Sequence, residues 1–166
     1  MKQTRTPVYL GFGGNVGNVK ETLINAIHDL DVYKNISFIQ KSSFYKTQPL
    51  YNISQPDFIN LVAEFSVGIS PFELLKIIQE IEKKYGRKRE STRRYEPRTL
   101  DIDILFWNQS IVREKELVIP HLGFSERKFV LEPMSEIALY YCVPGTDKTI
   151  QDFLRECPDH SRVEKL

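Results

Sequence analysis

Apolar and polar residues alternate through the segment 57–67, and this period of two is typical of a half-buried β-strand. One face of this predicted strand carries the apolar residues Ile59, Leu61, Ala63, Phe65 and Val67. The opposite face carries Phe58 and Asn60, because successive side chains on a strand point to opposite sides. Other apolar runs predict strands at 8–12, 36–46 and 100–107.

Helical spacing of apolar residues predicts a first helix that ends near Val32, with Asn18 and Glu21 resembling a capping box at its start. A second helix begins at Ser70, which is followed by proline at N1 and glutamate at N3, and it ends before Gly86. Shorter helices are predicted from caps at Ser125 and Thr149.

The glycine-rich segment 11–17 predicts a tight turn between the first strand and the first helix. It lacks the Lys-Ser/Thr pair of a P-loop and the third glycine of a dinucleotide-binding turn. We therefore expect it to pack near a site without contacting phosphate.

The predicted order is strand, helix, strand, strand, helix, strand, followed by additions. This is the split βαβ order of a ferredoxin-like antiparallel sheet with helices packed on it. The sequence therefore predicts an α+β fold, with residues 1–166 forming a single domain.

The composition is ordinary for a globular protein, and the formal net charge of the 166 residues is +1. A balanced charge argues against a general nucleic-acid or membrane partner, and we expect a monomer that binds small molecules. Two cysteines form no disulfide framework, and no signal peptide or long apolar span is evident, so we expect a cytoplasmic protein.

Positive charge is concentrated in one segment, which contains eight basic residues within sixteen positions from 83 to 98. The segment leads directly into a strand on which Asp101 and Asp103 share one face. Carboxylates hold Mg²⁺, and arginines bind phosphate oxygens with two hydrogen bonds at once. The pattern indicates a magnesium–nucleotide site, although a solvated edge strand and a solvated loop remain alternatives.

Within this segment Arg98 is the strongest catalytic candidate, because it lies three residues before Asp101 and near the strand. Phe58 and Asn60 offer an aromatic plane beside an amide, which suits a flat heterocycle, although packing alone would also explain this pair. His121 follows the end of a predicted strand and has either a structural or a site role.

The string Pro-Arg-Thr-Leu-Asp-Ile-Asp-Ile at 97–104 resembles the signature of the 6-hydroxymethyl-7,8-dihydropterin pyrophosphokinase family of the folate pathway. Further similar strings occur in the family's order at 13–17, 42–47, 55–60, 86–87 and 119–121. The resemblance covers residues 7 to 140, and it implies transfer of the pyrophosphoryl group of ATP to the pterin, with AMP as product. It also implies a three-layer α/β/α sandwich around the ferredoxin-like sheet.

The resemblance implies a role for each matching residue. Asp101 and Asp103 match the ligands of two Mg²⁺ ions, and Arg87 and Arg98 match catalytic arginines. Positions that match pterin contacts are Thr47, Pro49, Leu50, Phe58, Asn60 and Phe129. Positions that match ATP contacts are Gln79, Glu82, Arg89, Tyr95, Arg98, Ile104, His121 and Arg127.

Some positions depart from the family pattern. Gly14 stands where serine is usual, and we expect this to matter little. Glu96 replaces a usual glycine beside Arg98 and adds a negative charge there.

Two rival functions remain open from the residues themselves. An RNA-binding ferredoxin-like module would use the positive loop and Phe58, and its binding would depend on salt but not on Mg²⁺. A nucleotidyl transferase with the same Asp-x-Asp pair would release pyrophosphate instead of AMP.

Overall fold

The computed structural model describes residues 4–51, 53–87 and 96–166. In these ranges the chain forms the following elements in order: β1 (Thr6–Gly14), α1 (Val19–Asp31), β2 (Ile36–Lys41), β3 (Tyr45–Thr47), β4 (Phe58–Val67), α2 (Pro71–Lys84), β5 (Asp101–Trp107), β6 (Val112–Arg113), β7 (Val118–Ile119), a 3₁₀ turn (Phe124–Glu126), α3 (Lys128–Ala138), α4 (Ile150–Glu156) and β8 (Val163–Lys165).

The main sheet has the strand order β5-β1-β4-β3-β8, and β2 also pairs with β4. Every pairing in this sheet is antiparallel. β1 lies between β5 and β4, so side chains from three strands that are distant in sequence meet on either side of it. The predicted class of helices packed on an antiparallel sheet is confirmed.

Two groups of buried residues pack on the sheet. One group joins Val8, Leu10 and Phe12 of β1 to Leu23 of α1 and Leu74 of α2. The other group joins Tyr9 and Phe106 to Leu131 and Met134 of α3 and to Ile150 of α4. Alternation along β1 assigns the two groups to opposite faces of the strand. The three-layer ferredoxin-like sandwich stays a prediction, which this arrangement supports.

Several local predictions are confirmed. Strand β4 begins at Phe58, and Leu61, Ala63, Phe65 and Val67 of the predicted apolar face are buried, although Asn60 and Val62 of the opposite face are buried as well. Helix α2 has the expected capping box, in which the Ser70 side chain accepts from the Glu73 N–H and the Glu73 carboxylate accepts from the Ser70 N–H. Gly86 follows this helix with a φ of 89°, a left-handed conformation that favours glycine. Helix α4 has a second capping box between Thr149 and Asp152.

Other boundaries differ from the prediction. The predicted glycine turn is wrong at its start, because β1 continues to Gly14. The predicted strand 36–46 is two strands, β2 and β3, separated at residues 42–44. The predicted cap at Ser125 is also wrong, since α3 begins after Arg127. Asn18 bonds through its side-chain amide to the Glu21 carboxylate at 2.7 Å and makes no side-chain cap to the backbone.

Among the described residues, no helix is long and apolar enough to cross a membrane. The sheet and its helices leave a concave region at the ends of β1, β4 and β5, and the predicted site residues concentrate there.

Candidate active site

A cavity of about 150 Å³ opens at the junction of β1, β4 and β5, and loop 48–57 and the start of α3 complete its wall. Nine residues that the sequence predicts for the site line this cavity: Thr47, Leu50, Phe58, Asn60, Arg98, Asp101, Asp103, Arg127 and Phe129. Their positions span more than eighty residues of sequence, so the fold brings together what the motifs alone could not.

Glycines of β1 form the floor of the cavity. Asp101 lies opposite Gly13 and Asp103 lies opposite Gly11 in the pairing of β5 with β1. On the other side of β1, Gly13 lies opposite Asn60. An added Cβ at Gly13 would lie 2.3 Å from the Asn60 Oδ1. The glycines therefore leave space on the side of β1 where the acidic pair and the amide meet.

The aromatic and amide residues lie on two walls of this cavity. Asn60 is buried, and its Nδ2 donates to the Thr47 Oγ1 at 2.7 Å, which fixes the amide plane. Phe58 comes from β4 and Phe129 comes from α3, and both rings line the same space. The Arg127 guanidinium lies 5.9 Å from the centre of the Phe129 ring. A flat polar ring would find both aromatic surface and a fixed amide here.

Asp101 is held by two arginines. Its Oδ1 accepts from Arg87, and its Oδ2 accepts from the Arg98 Nη1 at 2.9 Å. Arg87 also pairs with Glu82, whose side chain is 1% exposed and accepts from the Ile102 N–H at 2.9 Å. Glu82 thus anchors both the start of β5 and the Arg87 guanidinium, and this supports the pairing of Arg87 with Asp101.

Among the described residues, no arginine pairs with Asp103 in this way, and its protonation differs from that of an ordinary aspartate. Partial removal of the Asp103 carboxylate from water, and after it the negative charge of Asp101, raises the pKa of Asp103 to about 7. Two carboxylates gathered on one strand face favour a cation between or beside them. Because Mg²⁺ prefers hard oxygen ligands, Asp101 and Asp103 fit such an ion.

His121 lies beside this pair, with its Nε2 3.7 Å from the Asp103 Oδ1. Burial, and after it the charge of Arg127, lowers the pKa of His121 to about 4, so the ring is neutral at pH 7. The Gly123 N–H donates to the His121 Nδ1 at 3.2 Å, which places the ring proton on Nε2. His121 is therefore a neutral donor at the edge of the site and not an ion-pair partner.

The remaining predicted residues occupy other positions. Arg89 and Tyr95 lie outside the described residues. Gln79, Glu82, Ile104 and His121 do not line the described cavity, and Ile104 is buried in the core beneath α1 and α2. Pro49 is buried between two residues of loop 48–57 that do line it. Their predicted ligand contacts stay predictions.

The structure also brings residues to the site that the motifs did not single out. Gln48, Tyr51 and Gln55 line the cavity from loop 48–57, and Leu105 and Val130 line it from β5 and α3. Asn15 lies behind the wall, where it bonds to both Arg98 and the loop. The one signal in the sequence was that Asn15 and Gln55 fall inside the similar strings, but the strings do not state what those residues touch.

Gly14 has a clearer role than its sequence suggests. A Cβ at Gly14 would lie 2.5 Å from the Thr99 carbonyl oxygen and 3.3 Å from that of Arg98. Backbone atoms cannot yield as easily as the end of a side chain. The expectation that glycine in place of serine matters little stays a prediction, and the geometry shows that glycine here permits the close approach of the segment that carries Arg98.

Comparison with known proteins shows the family to which this chain belongs. Residues 9–139 match the sequence profile of the 7,8-dihydro-6-hydroxymethylpterin-pyrophosphokinase (HPPK) family. A 2-amino-4-hydroxy-6-hydroxymethyldihydropteridine pyrophosphokinase from Haemophilus influenzae is 35% identical over 156 residues, which are 94% of this chain and 96% of that protein. The Bacillus subtilis protein of the same name is 37% identical over 159 residues, covering 95% of this chain and 94% of that one.

Among solved structures, the wild-type HPPK-DHPS of Plasmodium falciparum with pteroate superposes with a TM-score of 0.74 at 14% identity. The match covers 94% of this chain but 43% of that larger chain, so it bears on the fold alone. The profile match and the two relatives of nearly equal length show that this chain belongs to the 7,8-dihydro-6-hydroxymethylpterin-pyrophosphokinase family.

Proposed function

We propose that this pyrophosphokinase uses the described cavity to transfer the pyrophosphoryl group of ATP to 6-hydroxymethyl-7,8-dihydropterin in folate biosynthesis. The hydroxymethyl oxygen attacks the β-phosphorus, the bond from that phosphorus to the bridging α–β oxygen breaks, and AMP leaves. The observation that carries the proposal is that one cavity joins a fixed amide and two aromatic rings to an acidic pair and to Arg98, which is bonded to Asp101.

The pterin half of the site follows from the walls of the cavity. Phe58 and Phe129 offer faces for stacking, and the Asn60 amide reads the edge of the ring. Thr47 holds that amide, while Pro49 and Leu50 belong to the loop that closes the pocket. This arrangement orients the hydroxymethyl group towards the strand that carries Asp101 and Asp103, and orientation of this kind lowers the barrier.

The phosphate half lies at the start of β5. Arg87 and Arg98 now bond to Asp101, so each guanidinium is already at the acidic pair and turns to phosphate oxygens when ATP binds. Arg127 lines the same cavity, with its charge near Asp103 and His121, and neutral His121 offers an Nε2 donor. Gln79, Glu82, Arg89, Tyr95 and Ile104 complete the proposed surroundings of ATP.

Asp101 and Asp103 are the residues that would hold the metal, and two bound Mg²⁺ ions would supply neutralisation of phosphate charge during the displacement. Within the described ranges, no group of three or more His, Cys, Asp or Glu side chains is placed to hold a metal ion. The proposed coordination therefore depends on phosphate oxygens and water in addition to the two carboxylates.

We also propose that residues 1–166 act as one cytoplasmic domain that functions as a monomer, folded as a three-layer ferredoxin-like sandwich. For the single domain and the sandwich, the support is that both buried groups share the strands of one sheet, and that β1 contributes to each of them.

The test is AMP release from ATP with Mg²⁺, with and without 6-hydroxymethyl-7,8-dihydropterin. We expect AMP only when the pterin and Mg²⁺ are both present, and a loss of at least about a thousandfold in Asp101→Asn and Asp103→Asn, because each removes a charge that the transition state needs. Asp147→Asn is the matched control, since Asp147 is exposed and far along the chain. Wild-type rates in either of the first two variants would overturn the proposal.

The two rival functions give different results in the same samples. Pyrophosphate as the product of ATP would favour a nucleotidyl transferase. Tight RNA binding without Mg²⁺, weakened by salt, together with no release of AMP would favour an RNA-binding module.

A further inference from the structure

Asn15 is a buried polar residue that belongs to neither β1 nor α1, and 7% of its surface is exposed. A buried amide costs free energy unless its polar atoms are hydrogen-bonded. Asn15 satisfies that requirement with bonds to two separate parts of the active site. These bonds distinguish it from a residue that merely connects a strand to a helix.

The first set of bonds reaches the segment that carries Arg98. The Asn15 Oδ1 accepts from the Arg98 N–H at 2.9 Å, and the Asn15 N–H donates to the Arg98 carbonyl at 2.9 Å. Arg98 precedes the first residue of β5, so these bonds hold its backbone where the strand ladder does not. The Arg98 Nη1 then reaches the Asp101 Oδ2 at 2.9 Å.

The second set of bonds reaches the end of loop 48–57. The Asn15 Nδ2 donates to the Gln55 Oε1 and to the Pro56 carbonyl, each at 3.0 Å. Gln55 lines the cavity, and Pro56 is followed after one residue by Phe58, whose ring is part of the proposed pterin site. The side-chain NH₂ of Asn15 therefore donates to the loop beside the proposed pterin site, while its side-chain oxygen accepts from the backbone of Arg98.

We propose that Asn15 is a positioning residue that joins the pterin-binding loop to the catalytic arginine, so that both take their working geometry from one side chain. This inference rests on the proposed function. The two sets of bonds use different atoms of Asn15, and the two functions of the residue are therefore separable by substitution.

Asn15→Asp keeps an oxygen that accepts from the Arg98 N–H, but it loses both donors and sets a carboxylate oxygen against the Pro56 carbonyl. We expect the dissociation constant for the pterin to rise about tenfold, with kcat within about threefold of wild type. Asn15→Ala loses both sets of side-chain bonds. For this variant we expect the same weakening of pterin binding and, in addition, a fall in kcat of about tenfold or more.

Asn18→Ala is the matched control, because Asn18 lies three residues further along the same connection, its side chain bonds to Glu21, and neither residue lines the cavity. For this control we expect the dissociation constant for the pterin and kcat to equal those of wild type. A double-mutant cycle identifies the route of the kcat effect: adding Asn15→Ala to Arg98→Ala should cause no further loss of kcat, because Asn15 acts through Arg98.

The outcomes separate the two hypotheses. A wild-type protein without pterin-dependent AMP release would overturn the proposed function and this role with it. An active wild type in which Asn15→Asp binds pterin as Asn18→Ala does would overturn the role of Asn15 alone, as would full additivity with Arg98→Ala. If Asn15→Ala does not fold, the separation of pterin binding from kcat in Asn15→Asp decides the matter.

Discussion

The shape of the active site depends on single residues in β1 that lack a side chain. Gly11 and Gly13 lie opposite the two aspartates of β5, and Gly14 lies against the backbone of residues 98–99. Alternating residues of the same strand, such as Leu10 and Phe12, fill the core on the other face. The strand therefore builds a core with one set of positions and a cavity with the other.

Gly13→Ala tests this account at the level of one atom. The new Cβ would lie 2.3 Å from the Asn60 Oδ1, so the amide must move and its bond to Thr47 is strained. We expect pterin affinity to fall about tenfold or more, measured by calorimetry, with ATP affinity unchanged. Gly68→Ala is the control, because a Cβ there meets Asn35 at an ordinary 3.6 Å. Equal pterin affinity in the two variants would contradict the proposed role of the glycine floor.

The titration of Asp103 makes the free energy of unfolding depend on pH. Its pKa is about 7 in the folded protein against an ordinary 3.8. Between these values the folded state holds a proton that the unfolded chain has released, so this group lowers the free energy of unfolding as pH rises from about 4 to about 7. Asp103→Asn removes the titrating group and therefore this loss of stability with rising pH.

We expect Asp103→Asn to be more stable than wild type above pH 7 by about 1 kcal/mol, a value reduced from the full shift because the side chain is 39% exposed and is screened by solvent. Near pH 4 the difference should disappear. Urea unfolding without Mg²⁺ at several pH values measures the difference in the free energy of unfolding between the variant and wild type, with Asp147→Asn as the control. A stability difference that does not change with pH would show that the Asp103 carboxylate is not the cause.

At the scale of elements, β8 supports the loop that closes the pterin pocket. β8 pairs with β3, whose last residue Thr47 leads into loop 48–57. The Arg162 carbonyl accepts from the Gln48 N–H at 3.2 Å, and the Arg162 Nη2 contacts the Asp57 Oδ2 at 2.6 Å. Arg162 thus bonds to residues at both ends of the loop.

Arg162→Ala should raise the KM for the pterin about threefold and leave the KM for ATP and kcat unchanged, because exposed ion pairs contribute little but this one spans a binding loop. Arg162→Lys should restore part of the loss. Arg155→Ala, which changes an exposed arginine of α4, is the control for charge. If Arg162→Ala kept the wild-type KM for the pterin as well as for ATP, the loop would not depend on this contact.

The elements differ in how well the sequence predicted them, and the reasons are physical. α2 carries local signals at both ends, the Ser70 capping box and Gly86, so it was predicted closely. The glycines of β1 carry the same local signal as a turn, but pairing with β4 and β5 on both sides extends the strand through them. Tertiary pairing outweighed the local preference.

At the scale of the whole molecule, motifs named most of the residues that line the cavity but not their arrangement. Asp101 and Asp103 were placed on one face by alternation alone. Phe129 could not be placed beside Phe58, because only the packing of α3 on the sheet brings it there. Asn15 was not singled out, since its role lies in bonds to residues 40 and 83 positions away.

The central claim is that this molecule moves a pyrophosphoryl group, and the products of one reaction test it most directly. ³¹P NMR of wild-type protein with ATP, Mg²⁺ and 6-hydroxymethyl-7,8-dihydropterin should show AMP and a pterin diphosphate forming in equal amounts, and neither should form when the pterin is left out. ADP with a pterin monophosphate would mean attack at the γ-phosphorus, pyrophosphate would mean attack at the α-phosphorus, and either result would contradict the account.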